Sequence, residues 1–384
     1  MAALFTRLGF TAFGGPSAHV ALMEDEVVHR RRWLGREQFL DLVGLVNFIP
    51  GPNSTELAIH LGLIRAGRAG LVVAGVCFIL PAVLIILPLA WAYERYGGLP
   101  RMAGVLASVN AALIAVLAVA CWRFARASVK DAFTAAVAVL AVAAAAFAHW
   151  RHLPQSELAI LAAAAAAGAM RQAMVRPGTL LALPAPTVLA SAVAAAAPAP
   201  ATHWLVRLTL FFLQVGATLF GSGYVLVSYL QAGLVDQRGW LTERQLLDAV
   251  AVGQVTPGPL LTTATFVGYV VGRRETGADL GGVVGALAAT GAIFLPAFVL
   301  VALLGHRLPR LREKAWARGA LDATNAAVAA LVFVVTVTLA SSALRGPAPV
   351  AIAVGAAVAL ALRLNATWVM LAAAAIGLAR GGIV

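Results

Sequence analysis

The chain has 384 residues, of which 61% are hydrophobic and 11% charged, and its 28 Lys plus Arg against 16 Asp plus Glu give a formal net charge of +12. Soluble domains carry about 25% charged residues, so a water-soluble fold of this length is set aside. Nucleic-acid binding is set aside too, because the basic residues sit in short loops between apolar runs and none forms a run long enough for a phosphate footprint.

In chain order the predicted elements are helices. Residues 4–23 form a first apolar segment, interrupted at Gly14-Gly15-Pro16. No cleavable signal is visible, since this stretch begins near Met1 and runs straight into sequence that recurs later. A charged connection over 24–38 holds Arg30, Arg31, Arg32, Trp33 and Arg36. Residues 39–64 make a second segment, broken by Pro50-Gly51-Pro52. Cleaner spans follow at 70–92 and 102–122, long enough for a bilayer that needs about 20 residues per helix, and then an Ala-rich pair at 132–150 and 157–170. Residues 172–203 contain Pro177, Pro184, Pro186, Pro198 and Pro200 and read as a connector, with its crossing of the membrane left open. The same order returns at 204–230, 245–272, 280–304, 319–344, 350–362 and 366–378.

The return is a duplication. At an offset of 207, Phe13-Gly14 matches Phe220-Gly221, Trp33-Leu34 matches Trp240-Leu241, Asp41 matches Asp248 and Pro50-Gly51-Pro52 matches Pro257-Gly258-Pro259. Beyond an insertion of 8 around residues 275–282 the offset is 215, pairing Leu80-Pro81 with Leu295-Pro296, Gly104 with Gly319 and Asn110 with Asn325. The expected fold class is therefore all-α: a polytopic integral membrane protein of two homologous repeats, 1–171 and 204–384, around the connector 172–203. Loop charge does not settle their relative orientation, because Arg30, Arg31, Arg32 and Arg36 follow the first segment of one half while Arg307, Arg310, Arg312, Lys314 and Arg318 follow the third of the other. Inversion is favoured because it gives alternating access a simple geometry.

Function is expected at the breaks. A proline in a helix interior costs about 3 kcal/mol and frees a carbonyl that hydrocarbon cannot satisfy, so irregular backbone survives only beside protein or water. Two Pro-Gly-Pro breaks at equivalent positions, each followed by hydroxyl-bearing sequence (Asn53, Ser54, Thr55; Thr262, Thr263, Thr265), predict half-helices whose amide donors face an oxyanion. A structural hinge is the competing reading. Gly14, Gly15, Gly221 and Ser222 make the same argument more weakly, since membrane glycines often serve helix packing.

Other polar residues in or beside these segments are His19, Asn47, His60, Gln214 and Gln254. Asp41 and Asp248 lie near a segment's start, where a helix cap or an interfacial salt bridge is expected. Glu56 has no acidic counterpart, Thr263 holding its place, and is a candidate proton carrier. Asn110 and Asn325 are candidates for ligand contact or interhelical hydrogen bonding. Arg30 and Arg31 could collect anions or simply fix topology. Cys77 and Cys121 are far apart in apolar runs and read as structural thiols, so no metal site, redox couple or other cofactor is expected. There is no phosphate-binding Gly-x-x-x-x-Gly-Lys-Ser/Thr loop to make ATP a direct energy source.

Taken together, several motifs resemble those of the chromate ion transporter family. They are Phe13-Gly14-Gly15-Pro16 with His19, Trp33, and Phe48-Ile49-Pro50-Gly51-Pro52 with Ser54; then Phe220-Gly221 with Gly223-Tyr224-Val225, Trp240, and Thr256-Pro257-Gly258-Pro259 running into Ala264-Thr265-Phe266-Val267-Gly268-Tyr269. Ser222 departs from the glycine usual there. The resemblance covers both halves and implies a multi-pass exporter of chromate in the bacterial inner membrane, driven by the proton-motive force, conferring chromate resistance and taking sulfate as a mimic. The expected partners are the oxyanion, protons as coupling ion, the lipid bilayer and, as one option, a second copy in a homodimer. A sulfate or other oxyanion transporter and a passive anion channel are the alternatives. An enzyme such as a membrane chromate reductase ranks last, because no flavin, haem or redox-cysteine motif is present.

Overall fold

The computed structural model describes residues 1–13, 16–151, 153, 156–175, 203–221, 223–305 and 314–380, and among these there is no strand. The first half comprises α1 (Ala2–Thr11), α2 (Pro16–Glu24) with a π-helical turn (Asp25–Arg30), α3 (Arg36–Val46), α4 (Asn53–Tyr96), α5 (Pro100–Ser128), α6 (Ala132–Trp150) and α7 (Ser156–Val175). The second comprises α8 (Trp204–Thr218), α9 (Val225–Leu230) with a π-helical turn (Gln231–Asp236), α10 (Glu243–Val255), a 3-10 turn (Leu260–Thr262), α11 (Thr263–Thr276), α12 (Asp279–Leu304), α13 (Ala315–Ala343), α14 (Pro347–Ala361) and α15 (Ala366–Arg380). The π-helical turns recur as well, one residue out of step with the 207-residue offset.

The broken segments are not spans with a kink. They fold back. In the first half Arg7 on α1 pairs with Glu26, while His19 Nε2 lies 3.0 Å from the Ala12 carbonyl, so α1 and α2 run antiparallel. Trp33, ahead of α3, stacks under the Arg65 guanidinium at 5.5 Å, so α3 and residues 53–65 of α4 leave from the same side. The second half matches. Tyr229 donates to the Thr218 carbonyl at 3.1 Å, and Arg274 near the end of α11 donates to the Trp240 carbonyl (2.8 Å) and to Gln245 on α10 (3.3 Å). Each half thus contributes two helical hairpins, α1–α2 and α3–α4 in the first and α8–α9 and α10–α11 in the second, with a Pro-Gly-Pro break at the tip of the later hairpin of each pair. The length of α1, 10 residues at about 1.5 Å each, reaches only half of a hydrocarbon core of about 30 Å.

Although continuous by hydrogen bonding, α4 reverses at Ala66 (φ −150°) and Gly67 (φ +60°, ψ −149°). Gly62 then packs directly on the Gly70 backbone, an approach that any side chain would block. In the second half the same reversal separates α11 from α12 at Gly277 (φ +72°), with Gly268 and Gly272 against Gly285 and Gly281. Among the described residues, five helices (α4, α5, α6, α12 and α13) are long and apolar enough to cross a membrane.

The repeats are inverted. Gly75 on the second limb of α4 packs against Phe298 of α12, whereas Glu94, further along that limb, lies 3.8 Å from Arg273, level with the start of α12. These two equivalent helices therefore run antiparallel. The hairpins of the first half enter from the side where α5 ends, those of the second from the side where α5 begins; we call these the second and first sides. On the second side Lys130 pairs with Asp322 and Arg171 with Asp131, each at 2.6 Å, while Gly168 packs on Gly319. Val175 ends α7 on this second side and His203 precedes α8 on the first. Helix α7 continues past the expected boundary at 171, and the prolines of the connector, with Arg307, Arg310 and Arg312, lie outside the described residues.

Inversion has a direct test. With Cys77 and Cys121 replaced by serine, Arg68→Cys and Glu275→Cys, one at each α4-type reversal, should react with a membrane-impermeant maleimide from opposite sides of the membrane. Labelling of both from one side would exclude inverted repeats.

Candidate functional site

All four hairpin tips meet near the middle of the bundle. In Pro-Gly-Pro only the glycine carries an amide hydrogen, and each is given to the other repeat: Gly51 N–H donates to the Leu219 carbonyl at 2.7 Å, and Gly258 N–H to the Ala12 carbonyl at 3.1 Å. Both acceptors are at equivalent positions, at the ends of α8 and α1. Both glycines adopt positive φ, 139° and 102°, a conformation other residues rarely take. A methyl at Gly51 would also collide with the Glu56 carboxyl group.

Beside the tips is a cavity of about 410 Å³. Pro52, Asn53, Ser54, Gly221, Gly258 and Asn325 line it, joined by Ala12, His19, Asn47, Arg123, Tyr224, Gln254 and Thr256. It extends toward the second side, where Ala127 near the end of α5 forms part of its wall. Arg123 donates to the Leu360 carbonyl at 3.3 Å, leaving other guanidinium donors for a ligand, and Gln254 donates to the Tyr224 hydroxyl at 3.3 Å. Asn53 Nδ2 bonds Asn47 Oδ1 at 2.7 Å across the Pro-Gly-Pro tip, and the Asn325 Oδ1 is buried without a hydrogen-bond partner. Among the lining residues there is one arginine and no carboxylate. Residues 53 and 54 open the α4 helix here, so its first amides and the positive end of its dipole add to the field of Arg123. Such a site suits an anion.

The remaining expected residues fall elsewhere. Pro50, Gly51, Pro257 and Pro259 shape the tips without lining the cavity. Thr262 and Thr263 turn their hydroxyls onto their own backbone, at the Pro259 and Leu260 carbonyls (2.6 and 2.8 Å). Glu56 is fully buried behind the tip. Arg30 and Arg31 are not part of the cavity: Arg30 pairs with Asp25 and Glu26, and Arg31 with Glu26, at the outer end of the first hairpin. Gly14, Gly15 and Ser222 lie outside the described residues.

Asp248 is neither a cap nor an interfacial ion pair. It is 1% exposed, accepting from Asn110 Nδ2 at 2.7 Å and the Tyr93 hydroxyl at 2.8 Å. That contact ties α5 and α4 of one repeat to α10 of the other and seals the bundle toward the first side. Asn110 is therefore interhelical, whereas its counterpart Asn325 faces the cavity. Arg123 was not singled out by the sequence reasoning, Tyr224 and His19 entered it within the motifs of the family resemblance, and Asn47 and Gln254 were noted only as intramembrane polar residues. Arg123 closes an apolar run at Trp122, where arginine usually marks the membrane edge.

A family model described as Chromate transporter matches residues 1–169 and 206–378. The chain is 33% identical over 302 residues to a probable chromate transport protein of Synechococcus elongatus, covering 78% of this chain and 73% of that protein. It is 31% identical over 305 residues to a chromate transport protein of Cupriavidus metallidurans (78% and 72%) and 32% identical over 350 residues to one of Pseudomonas aeruginosa (88% and 80%). No solved structure gave a significant match.

Asn110→Ala removes one of the two donors to a buried carboxylate. It should lower stability by about 1–3 kcal/mol, read as a lower thermal-unfolding midpoint in detergent. An unchanged midpoint would show that the Asp248 contact contributes nothing to holding the helices together.

Proposed function

The chain belongs to the chromate transporter family, and from that premise we propose that it is a secondary transporter that exports chromate across the bacterial inner membrane, driven by the proton-motive force, and so confers chromate resistance. The observation that carries this reading is the cavity at the four hairpin tips, with one arginine, several neutral hydrogen-bonding groups and no carboxylate among its lining residues. A tetrahedral dianion is held by donors converging on its oxygens, and a planar guanidinium supplies two in parallel. Arg123, Asn53, Ser54, Tyr224 and Asn325 are the groups we assign to the oxyanion, with Gly221 and Gly258 letting backbone approach it.

Alternating access supplies the mechanism. The cavity reaches the second side while Asn110, Tyr93 and Asp248 close the first. Inverted repeats provide the reverse arrangement by exchanging the roles of the two halves. Sulfate shares the charge and shape of chromate and enters as a competitor, distinguished mainly by size.

The test is chromate uptake into inverted membrane vesicles, with and without a proton gradient and with sulfate present. Gradient-dependent uptake, weakly inhibited by sulfate, is expected. Uptake indifferent to the gradient would replace this reading with a passive anion pathway, and sulfate movement without chromate uptake would replace the substrate. Arg123→Gln should cut uptake about tenfold or more, the scale of losing a charge-assisted hydrogen bond of about 1.5–3 kcal/mol. Full uptake by a well-expressed variant would remove Arg123 from the site.

A further inference from the structure

One turn behind the first Pro-Gly-Pro tip, two ionisable side chains are enclosed together. Glu56 is 0% and His60 3% exposed, at i and i+4 on the returning limb of the hairpin, so both lie on one face. Neither carboxyl oxygen of Glu56 has a hydrogen-bond partner, and the His60 ring has no side-chain partner, facing only the backbone carbonyl of Glu56. A buried carboxylate without a hydrogen-bond partner is costly as an ion. Ionisable groups inside a membrane fold are retained for movement of charge rather than for stability.

The placement is directional. The Glu56 carboxyl abuts Gly51, whose amide hydrogen makes one of the two bonds between the repeats. The Nε2 of His60 points at Gly305, just past the end of α12 on the second side, where Leu304 and Gly305 are half-buried. The neighbouring helices offer these groups no counter-ion among the described residues. Glu26 is occupied by Arg7, Arg30 and Arg31, His19 is bonded to the Ala12 carbonyl, and Asp279 on α12 pairs with Arg273 at the far end of that helix. Asp41 on α3 is exposed. The other repeat carries nothing comparable: Thr263 and Val267 stand at the matching positions, and the Thr263 hydroxyl is satisfied by the Leu260 carbonyl.

We propose that Glu56 and His60 form a two-station proton path from the hairpin tip to the second side, carried by the first repeat alone. The Glu56 acid gives its proton to a ring nitrogen of His60, leaving carboxylate and imidazolium. The imidazolium then releases the proton on its other nitrogen to water on the second side. Loading runs through the same transfers in reverse. Because a charged Glu56 sits against Gly51, its protonation state bears on the bond that holds the two repeats' tips together. The inference rests on the reading of this protein as a proton-coupled transporter.

The full chain, purified and reconstituted in liposomes, distinguishes the two claims. Chromate accumulation driven by an imposed pH gradient needs net proton movement, whereas chromate–chromate counterflow at equal pH does not. Glu56→Gln and His60→Gln should each reduce gradient-driven accumulation about tenfold or more while counterflow stays within about twofold of the unaltered protein. The double variant should be no worse than either single one, because the stations act in series. Accumulation by the unaltered protein with H60Q indistinguishable from it would overturn the path and leave proton coupling intact. An unaltered protein indifferent to the gradient would overturn the coupling reading and the path with it. Loss of counterflow in both H60Q and the conservative H60N would assign the residue to packing and also overturn the proposal.

Discussion

The arrangement depends on two backbone hydrogen bonds exchanged across a pseudo-twofold axis, Gly51 N–H to Leu219 O and Gly258 N–H to Ala12 O. Helices that stop in mid-membrane leave carbonyls that lipid cannot satisfy. Here each repeat ends one short helix with a carbonyl that faces the other repeat and builds, in its Pro-Gly-Pro, a tip with a single donor. Each donor is met by the other repeat, so the bond forms when the halves interlock. The constraint explains the local chemistry: prolines exclude competing donors, and the glycine between them takes the positive φ that aims its amide outward. It also fixes where an anion can be met, since the helix starts at the tips carry the unused amides.

Symmetry of backbone is not matched by symmetry of side chains. On the first side Asn110 and Tyr93 close on Asp248. At the matching place in the other half, Asn325 opens onto the cavity with its amide oxygen unpaired, and Leu308 replaces the phenol in sequence. One half of the molecule is closed while the other borders the cavity. Three further buried ionisable residues, His19, Glu56 and His60, belong to the first repeat, with Leu226, Thr263 and Val267 opposite them. Duplication supplied two equivalent scaffolds, and substitution has since given them different side chains.

Much of this was legible in the residues. The duplication, the helical class and the breaks follow from spacing and composition, and Gly67 and Gly70 mark a boundary that hydropathy alone placed between 64 and 70. The folding back at Pro50-Gly51-Pro52 was not legible, because proline reports that a helix stops but not which way the chain leaves. Trp33 with Arg65 and Trp240 with Arg274 decide that direction, and they are tertiary contacts between residues far apart in sequence. Arg123 was hidden for a different reason: an arginine at the end of an apolar run has the same local pattern whether it faces lipid headgroups or a cavity. Asp248 looked interfacial by its distance from the segment start, a measure that fails once the segment enters as a short hairpin rather than a span. Arg30 and Arg31 looked available until Asp25 and Glu26 were found beside them.

The outermost part of the second half carries a consequence for the surrounding lipid. Helix α14 has 15 residues, about 22 Å at 1.5 Å each, against a hydrocarbon thickness of about 30 Å. Its outward stripe of Val350, Val354, Val358 and Leu362 is 43–73% exposed, so lipid tails must meet it directly. Its counterpart α6 has 19 residues and nearly reaches across. Where lipid tails meet this flank, the mismatch would cost fractions of a kcal/mol per Å by the usual scale, whether met by thinning, tilt or association. Bilayer thickness would then bear on the second repeat more than on the first.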